Sequence, residues 1–338
     1  MFGEKTRQFR WGILGSSRIA RVCLIPAFKL ANNGVLTAIA SRDLSRAHKL
    51  QNEYDIPKAY GTYQELIEDP EIDGVYIPLP NNLHYPWTLR ALEAGKHVLC
   101  EKPLALNAIE AAEMMNKAHN CQRVLMEGLM HKFQPRIKHI QKLIESGEIG
   151  DPQIIRAAFT FHAADRNNFR FAPEMGGGAL LDVGGYCVSI AREVFQAEPT
   201  QVQAFSEFGE TGVDLTTTAI LKFPKGKMGI IECSFVSSLQ QTFSVIGTDQ
   251  SIEVPHNAFI PWDKSPYFTM RGQDQEIGNR IAIPGADQYR LMVEHFANVA
   301  IGAETLEITP EFSIANMTVL DAIAKAAELN RSLNVAME

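Results

Sequence analysis

Short β-rich runs alternate with helix-like stretches through the first third of the chain, and few architectures accommodate that rhythm. Phe9–Leu14 and Val35–Ala40 read as strands, with Ser17–Leu30 as the helix between them. Gly74–Pro78 is almost continuously apolar, as expected of a strand buried on both faces of a parallel sheet. His97–Cys100 and Arg123–Glu127 read as two more strands. Asp43 stands where a helix N-cap belongs, and the pairs Thr62/Glu65 and Asn107/Glu110 have capping-box spacing. Gly95 closes the helix from Tyr85 to Ala94. Alternation on this scale predicts a doubly wound parallel sheet of the Rossmann type.

The pattern changes after about residue 130. A helix stopping at Gly147 leads into runs of strand-like alternation: Gln153–Phe161, Gln201–Phe208, Leu215–Phe223, Met228–Phe235 and Thr242–Ile246. Turn material such as Pro224-Lys-Gly226 separates them, which suits an antiparallel meander. Helical segments near Gln288–Ala300 and Ser313–Asn330 complete the chain. The expected fold is therefore α/β: a Rossmann domain over residues 1–127 and an α+β domain over 128–338. The second domain is expected to carry an open, mainly antiparallel sheet with helices on one face. A chain of 338 residues suits two such cores better than one.

Bulk properties exclude several function classes. A net charge of −7 with scattered Lys and Arg gives no basic footprint for nucleic acid. No apolar run approaches the roughly 20 residues of a spanning helix, and residues 1–10 lack the apolar core of a secretory leader. The five cysteines form no CxxC pair and read as buried thiols of a cytoplasmic protein. No His, Cys and Asp cluster has metal-ligand spacing, so no metal is expected.

Four stretches carry candidate chemistry. Gly12-Ile-Leu-Gly15-Ser16-Ser17-Arg18-Ile19-Ala20 lies at the first strand-to-helix junction, where a tight glycine turn lets amides approach a pyrophosphate. Ser17 and Ala20 replace the second and third glycines of the usual fingerprint, so a purely structural turn is the competing reading. At the end of the second strand, Ser41-Arg42 occupies the place of the acidic residue that NAD sites use for the ribose. A hydroxyl and a guanidinium suit a 2′-phosphate, which favours NADP over NAD; a solvated surface charge is the alternative.

The third stretch comprises the loop Pro78-Leu79-Pro-Asn81-Asn-Leu-His84 and the turn Glu101-Lys102-Pro103, both at carboxyl ends of strands. A lysine there can donate a proton or stabilise a deprotonated hydroxyl, and His84 is a further candidate. The fourth is Gly176-Gly-Gly-Ala-Leu-Leu-Asp182-Val-Gly-Gly-Tyr186. If it opens a helix, Asp182 and Tyr186 share a face; helix-dipole and core roles are the bland alternative.

Together these motifs resemble the Gfo/Idh/MocA oxidoreductases over essentially the whole chain. Phe169-Arg170-Phe171, just before the glycines, also fits. The resemblance implies hydride transfer at a carbinol or carbonyl carbon of a sugar or cyclic polyol. Lys102 would match the family's catalytic lysine and Asp182 its substrate-orienting acid. Many members carry His where this chain has Tyr186. The tyrosine is more similar to the branch of glucose–fructose oxidoreductase, xylose dehydrogenase and dimeric dihydrodiol dehydrogenase. Gly15 to Ile19, Ser41, Arg42, Leu79, Asn81, His84, Glu101, Lys102 and Arg170 are the expected cofactor contacts. The resemblance also implies a homodimer, or a multiple of one, formed through the open sheet, for which Thr217, Ile220, Ile231, Phe235 and Phe243 are the apolar candidates. A non-catalytic dinucleotide sensor is the alternative, but it would not need Lys102, Asp182 and Tyr186.

Overall fold

The computed structural model describes residues 8–336, and most of residues 1–10, expected to lack a secretory leader, lies outside them. The chain divides into two compact units, one running to residue 130 and including 287–313, the other covering 131–286 and 314 onward.

The first unit runs β1 (Phe9–Leu14), α1 (Ile25–Leu30), β2 (Gly34–Ala40), α2 (Leu44–Tyr54), β3 (Lys58–Tyr60), α3 (Tyr63–Glu68), β4 (Gly74–Ile77), α4 (His84–Glu93), β5 (His97–Cys100), α5 (Ala108–Asn120) and β6 (Leu125–Glu127). Its six strands lie in the order β3-β2-β1-β4-β5-β6, and every pairing is parallel. Trp11, Ile13, Val75 and Tyr76 have no exposed surface, which is why β1 and β4 lack polar alternation. The order reverses direction between β1 and β4, so a crevice opens at their carboxyl ends.

Local signals hold with one exception. Asp43 caps α2 through Ser45, and Thr62 and Glu65 form a complete capping box on α3. On α5 only half the box forms. Asn107 accepts from the Glu110 amide at 2.9 Å, but the Glu110 carboxylate reaches back to the Leu106 amide instead.

The second unit contains α6 (Pro135–Glu145), β7 (Pro152–His162), α7 (Gly185–Phe195), β8 (Gln201–Phe208), β9 (Asp214–Lys222), β10 (Met228–Ser234), β11 (Val236–Gly247), β12 (Gln250–Val254), β13 (Tyr267–Gly272) and β14 (Asn279–Ala282). After α8 (Gln288–Ala300) come α9 (Pro310–Leu329) and β15 (Leu333–Asn334). The nine strands lie in the order β14-β13-β12-β11-β7-β10-β9-β8-β15. Most pairings are antiparallel, but β7 and β10 run parallel, which breaks the expected meander. The reason is topological: β7 enters the middle of the sheet and is separated from β8 by α7. β12 to β15 extend the sheet beyond the strands anticipated from the sequence; each is short, of two to six residues.

Two further expectations change. The helix α8 was expected with the second domain, yet it belongs to the first unit. Phe296 is fully buried, with its ring 5.0 Å from Trp11 and 6.1 Å from Phe9. An apolar stripe shows that a helix is covered, not by which partner.

The open face of the large sheet also differs from expectation. Thr217, Ile231, Phe235 and Phe243 are at most 2% exposed, whereas Ile220 is 43% exposed. Side chains alternate along a strand, and four of the five named residues point to the covered face. The open face instead carries the cross-strand row Gln203, Ile220, Ile230, Arg156, Ser244 and Glu253. Phe205, 62% exposed, begins the adjacent row with Thr218 and Glu232.

Candidate active site

In the first unit the candidate residues gather at the carboxyl edge of the parallel sheet. Gly15 has φ +110°, and a Cβ there would lie 2.9 Å from Leu79 Cδ2 and 3.7 Å from the Tyr63 hydroxyl. Only glycine leaves the backbone bare at this crevice, which fits a pyrophosphate laid against main-chain amides. The chain then turns into a helix whose first full turn is a wide π-turn over Ala20–Leu24. Ser17 stabilises its start, its hydroxyl accepting from the Ala20 amide at 3.2 Å. Ser16 and Ile19 are half-buried and Arg18 is exposed.

At the end of β2, Ser41 is buried and Arg42 exposed. Asp43 is committed elsewhere: its carboxylate accepts from the Ser45 amide at 3.0 Å and hydroxyl at 2.6 Å and faces Arg46 at 3.5 Å. The Ser45 hydroxyl is the main reason the Asp43 carboxyl sits below its ordinary range. Asp43 thus serves as the cap of α2 at this strand end. Tyr63 was not anticipated. Burial raises its phenol, while the neighbouring Arg42 charge pulls the other way, so the two side chains face one another beside the Gly15 turn.

The loops after β4 and β5 are tied together. Leu79 and Asn81 are buried. His84 has no exposed surface, and its Nδ1 and Nε2 lie 2.8 and 2.9 Å from the carbonyl oxygens of Pro103 and Leu79. Burial lowers its pKa to about 4 against the pull of both carbonyls. The ring is thus wedged between the two loops, and as a neutral imidazole with a single N–H it donates to only one of the two carbonyls. The Tyr76 hydroxyl donates to Glu101 Oε1 at 2.6 Å, and Glu101 Oε2 accepts from the Lys102 amide at 3.3 Å. Glu127 holds the other side of the turn by accepting from the Leu104 amide at 3.1 Å. The Lys102–Pro103 peptide is cis, and the Lys102 side chain remains partly exposed above this frame.

In the second unit the glycine run wraps over its own approach. The Gly178 amide donates to Arg170 O at 2.9 Å, and a Cβ on Gly177 would lie 2.5 Å from that same oxygen. At Gly178, φ is +118° and a Cβ would meet Asp214 Oδ1 at 2.2 Å. A π-turn over Leu180–Gly184 follows and carries Asp182 into α7. π-turns inside helices occur often at functional sites.

Asp214, 34 residues away from Leu180 in sequence, was also missed. It accepts from the Leu180 amide at 2.8 Å and the Thr217 hydroxyl at 2.9 Å, capping the turn, and burial raises its pKa. Arg170 Nε donates to Asp182 Oδ2 at 2.6 Å, so the residue expected to touch the cofactor is an ion-pair partner of the expected substrate-orienting acid. Tyr186 is 3% exposed and bounded by the rings of His131, Phe159 and Phe259 at 5.3, 5.4 and 5.6 Å. Among the described residues no group of three or more His, Cys, Asp or Glu side chains could hold a metal ion, and no helix is long and apolar enough to cross a membrane.

Comparison with known proteins identifies the family. Residues 9–129 match the oxidoreductase family's NAD-binding Rossmann fold, and residues 137–253 match the GFO/IDH/MocA C-terminal domain. The chain is 35% identical to D-xylose 1-dehydrogenase (NADP(+)) 2 of Haloferax volcanii, over 96% of this chain and 99% of that protein. It is 38% identical to the trans-1,2-dihydrobenzene-1,2-diol dehydrogenase of Mus musculus, over 71% of this chain and 72% of that one. Its fold is similar to that of KijD10, a 3-ketoreductase from Actinomadura kijaniata solved with NADP and TDP-benzene. The TM-score is 0.89 at 27% identity, covering 95% of this chain and 98% of that chain. With both halves matched and a 35% identical dehydrogenase aligned over nearly its whole length, the chain belongs to the GFO/IDH/MocA family of NAD(P)-dependent oxidoreductases.

Proposed function

We propose that this enzyme interconverts a carbinol and a carbonyl at a carbon of a sugar or cyclic polyol, with NADP preferred over NAD. The observation that carries the reading is the anchoring of Lys102. Its main chain is held by Glu101, which Tyr76 fixes from the adjacent strand, while its side chain stays accessible at the strand end. Gly15, Ser16 and Ser17 would hold the pyrophosphate against the helix start, with Arg18, Ile19, Leu79 and Asn81 beside it. Ser41 and Arg42 would meet the 2′-phosphate, since Asp43 is occupied by its cap. When bound, the nicotinamide supplies or accepts the hydride.

The residues of the chain manage the rest. Removing hydride from a carbinol requires its hydroxyl to lose a proton, and Lys102 and Tyr186 share that task. Asp182 orients a neighbouring hydroxyl. D-xylose and the dihydrobenzenediol named in the relatives both bear adjacent hydroxyls, and a carboxylate already balanced by Arg170 suits a neutral polyol. Lys102→Met should lower kcat by about 10²–10⁴-fold with cofactor affinity little changed. Adding Tyr186→Phe should not multiply the loss, because the two act on one proton. A Lys102→Met enzyme with wild-type kcat would overturn the assignment.

For assembly, we infer a homodimer in which the open face of the large sheet packs against a second copy. Ile220, Ile230 and Phe205 supply apolar surface, and Arg156, Glu232 and Glu253 supply both signs of charge.

A further inference from the structure

We infer that His131 is a positioning residue for Tyr186, anchored through Ser189 and Glu193 so that its ring plane fixes the direction of the phenol. The inference rests on the reading of Tyr186 as a proton-handling residue. Tyr186, Ser189 and Glu193 follow one another at spacings of three and four along α7, so they line one face of the helix. His131 lies along that face with no exposed surface, and its ring meets the Tyr186 ring edge-on at 5.3 Å and 70°.

The hydrogen bonds select one form of the imidazole. The Ser189 hydroxyl donates its single proton to Glu193 Oε1 at 2.8 Å. Toward His131 Nε2, 3.2 Å away, Ser189 can then only accept. The proton therefore sits on Nε2, and Nδ1 carries a lone pair. Glu193 is itself braced by Lys132 at 3.2 Å and by the Gln141 amide at 2.6 Å. Burial is the main reason His131 stays neutral, lowering its pKa to about 4, with Lys132 acting in the same direction and Glu193 opposing.

His131 Nδ1 is buried with no hydrogen-bond partner among the described residues. An orphaned acceptor is costly, and a phenyl ring would fill the same space without one. What imidazole adds is the Nε2–H bond that fixes the plane of the ring. The next residues brace a second neighbour of the Tyr186 ring, Phe259, whose ring also lies 5.9 Å from that of His131. Gln134 donates to Phe259 O at 2.5 Å, and fully buried Arg136 donates to Ala258 O at 3.2 Å and Tyr267 O at 3.1 Å. Together they seat Phe259 against the Tyr186 ring.

The test compares His131→Phe, which keeps a ring but loses the anchor, with Ser189→Ala, which removes the anchor from the other end. Circular dichroism confirms that both fold. Single-turnover hydride transfer, measured with NADP⁺ and D-xylose or whichever polyol the wild type oxidises, should slow about tenfold in each. Substrate KM should stay within about twofold, and neither change should slow Tyr186→Phe further. In parallel, ¹⁵N NMR of the imidazoles, with His131→Phe identifying the signals, should show a neutral Nε2–H ring from pH 7 to pH 5. If Tyr186→Phe itself leaves hydride transfer unchanged, the catalytic reading of Tyr186 has failed. If Tyr186→Phe is slow but both anchor variants are wild type, or multiply its defect, the positioning role is overturned. A proton on Nδ1 of His131 overturns it as well.

Discussion

Arg170 grips the carboxylate of Asp182 with Nε 2.6 Å from Oδ2 and Nη2 3.5 Å from Oδ1, and that carboxylate side chain is only 8% exposed. The acid assigned to the substrate is thus held in one orientation before any substrate arrives. Asp182→Asn should raise KM for the polyol about tenfold while changing kcat less, because it weakens a charge-assisted hydrogen bond of the substrate. Arg170→Ala should raise KM at least as much, since it leaves a buried carboxylate without its cation. Steady-state kinetics on both variants check this, and unchanged KM in the pair would remove Asp182 from the substrate site.

Cofactor choice turns on Arg42. Losing one charge-assisted phosphate contact costs roughly 1.5–3 kcal/mol, or about 10- to 100-fold in affinity. Arg42→Ala should weaken NADP binding by that factor and leave NAD nearly unchanged. Fluorescence titrations with both dinucleotides provide the measurement. A wild-type preference for NAD would contradict the assignment.

Assembly depends on the open sheet face. Ile220, 43% exposed in the row opposite Ile230, becomes central if two such faces pack together. Ile220→Arg should convert a dimer to monomer in sedimentation velocity at micromolar concentration, with little change in the thermal unfolding of the monomer. Finding the wild type monomeric under those conditions would rule out the sheet-to-sheet dimer.

Stability should fall on mild acidification partly through His97. The Val124 amide donates to its Nδ1 at 3.1 Å, a bond available only to the neutral ring, and burial, then the Arg123 charge, lowers its pKa to about 4. An unfolded histidine titrates near 6.5. The unfolded chain therefore takes up the proton first. The stabilisation is complete above about pH 6.5 and is lost as pH falls toward about 4. Between pH 7 and pH 5 the loss from this one group should be about 1–2 kcal/mol. Denaturant unfolding of wild type and His97→Phe at both pH values isolates it, because the other buried histidines are common to the two proteins. Equal pH sensitivity in the pair would show that His97 does not contribute.

Much of this protein is determined locally. Apolar runs bounded by caps and glycines specify the parallel sheet, because a strand buried on both faces has no polar alternation. The Gly15 turn and the Glu101-Lys102-Pro103 turn fall at strand ends for the same reason, so most of the candidate residues were legible from order alone. Other features depend on what meets across the fold. That β7 inserts beside β10 in parallel, that α8 covers Trp11, and that Phe243 points inward while Ile220 points outward are matters of packing partner and register. A one-residue change of register reverses a strand's faces without altering its composition. Likewise, Asp214 meets Leu180, Tyr63 meets Arg42, and His131 meets Tyr186 and Ser189 only once distant segments fold together. No spacing in the sequence encodes those contacts, and they are what turn a set of suitable residues into fixed side chains.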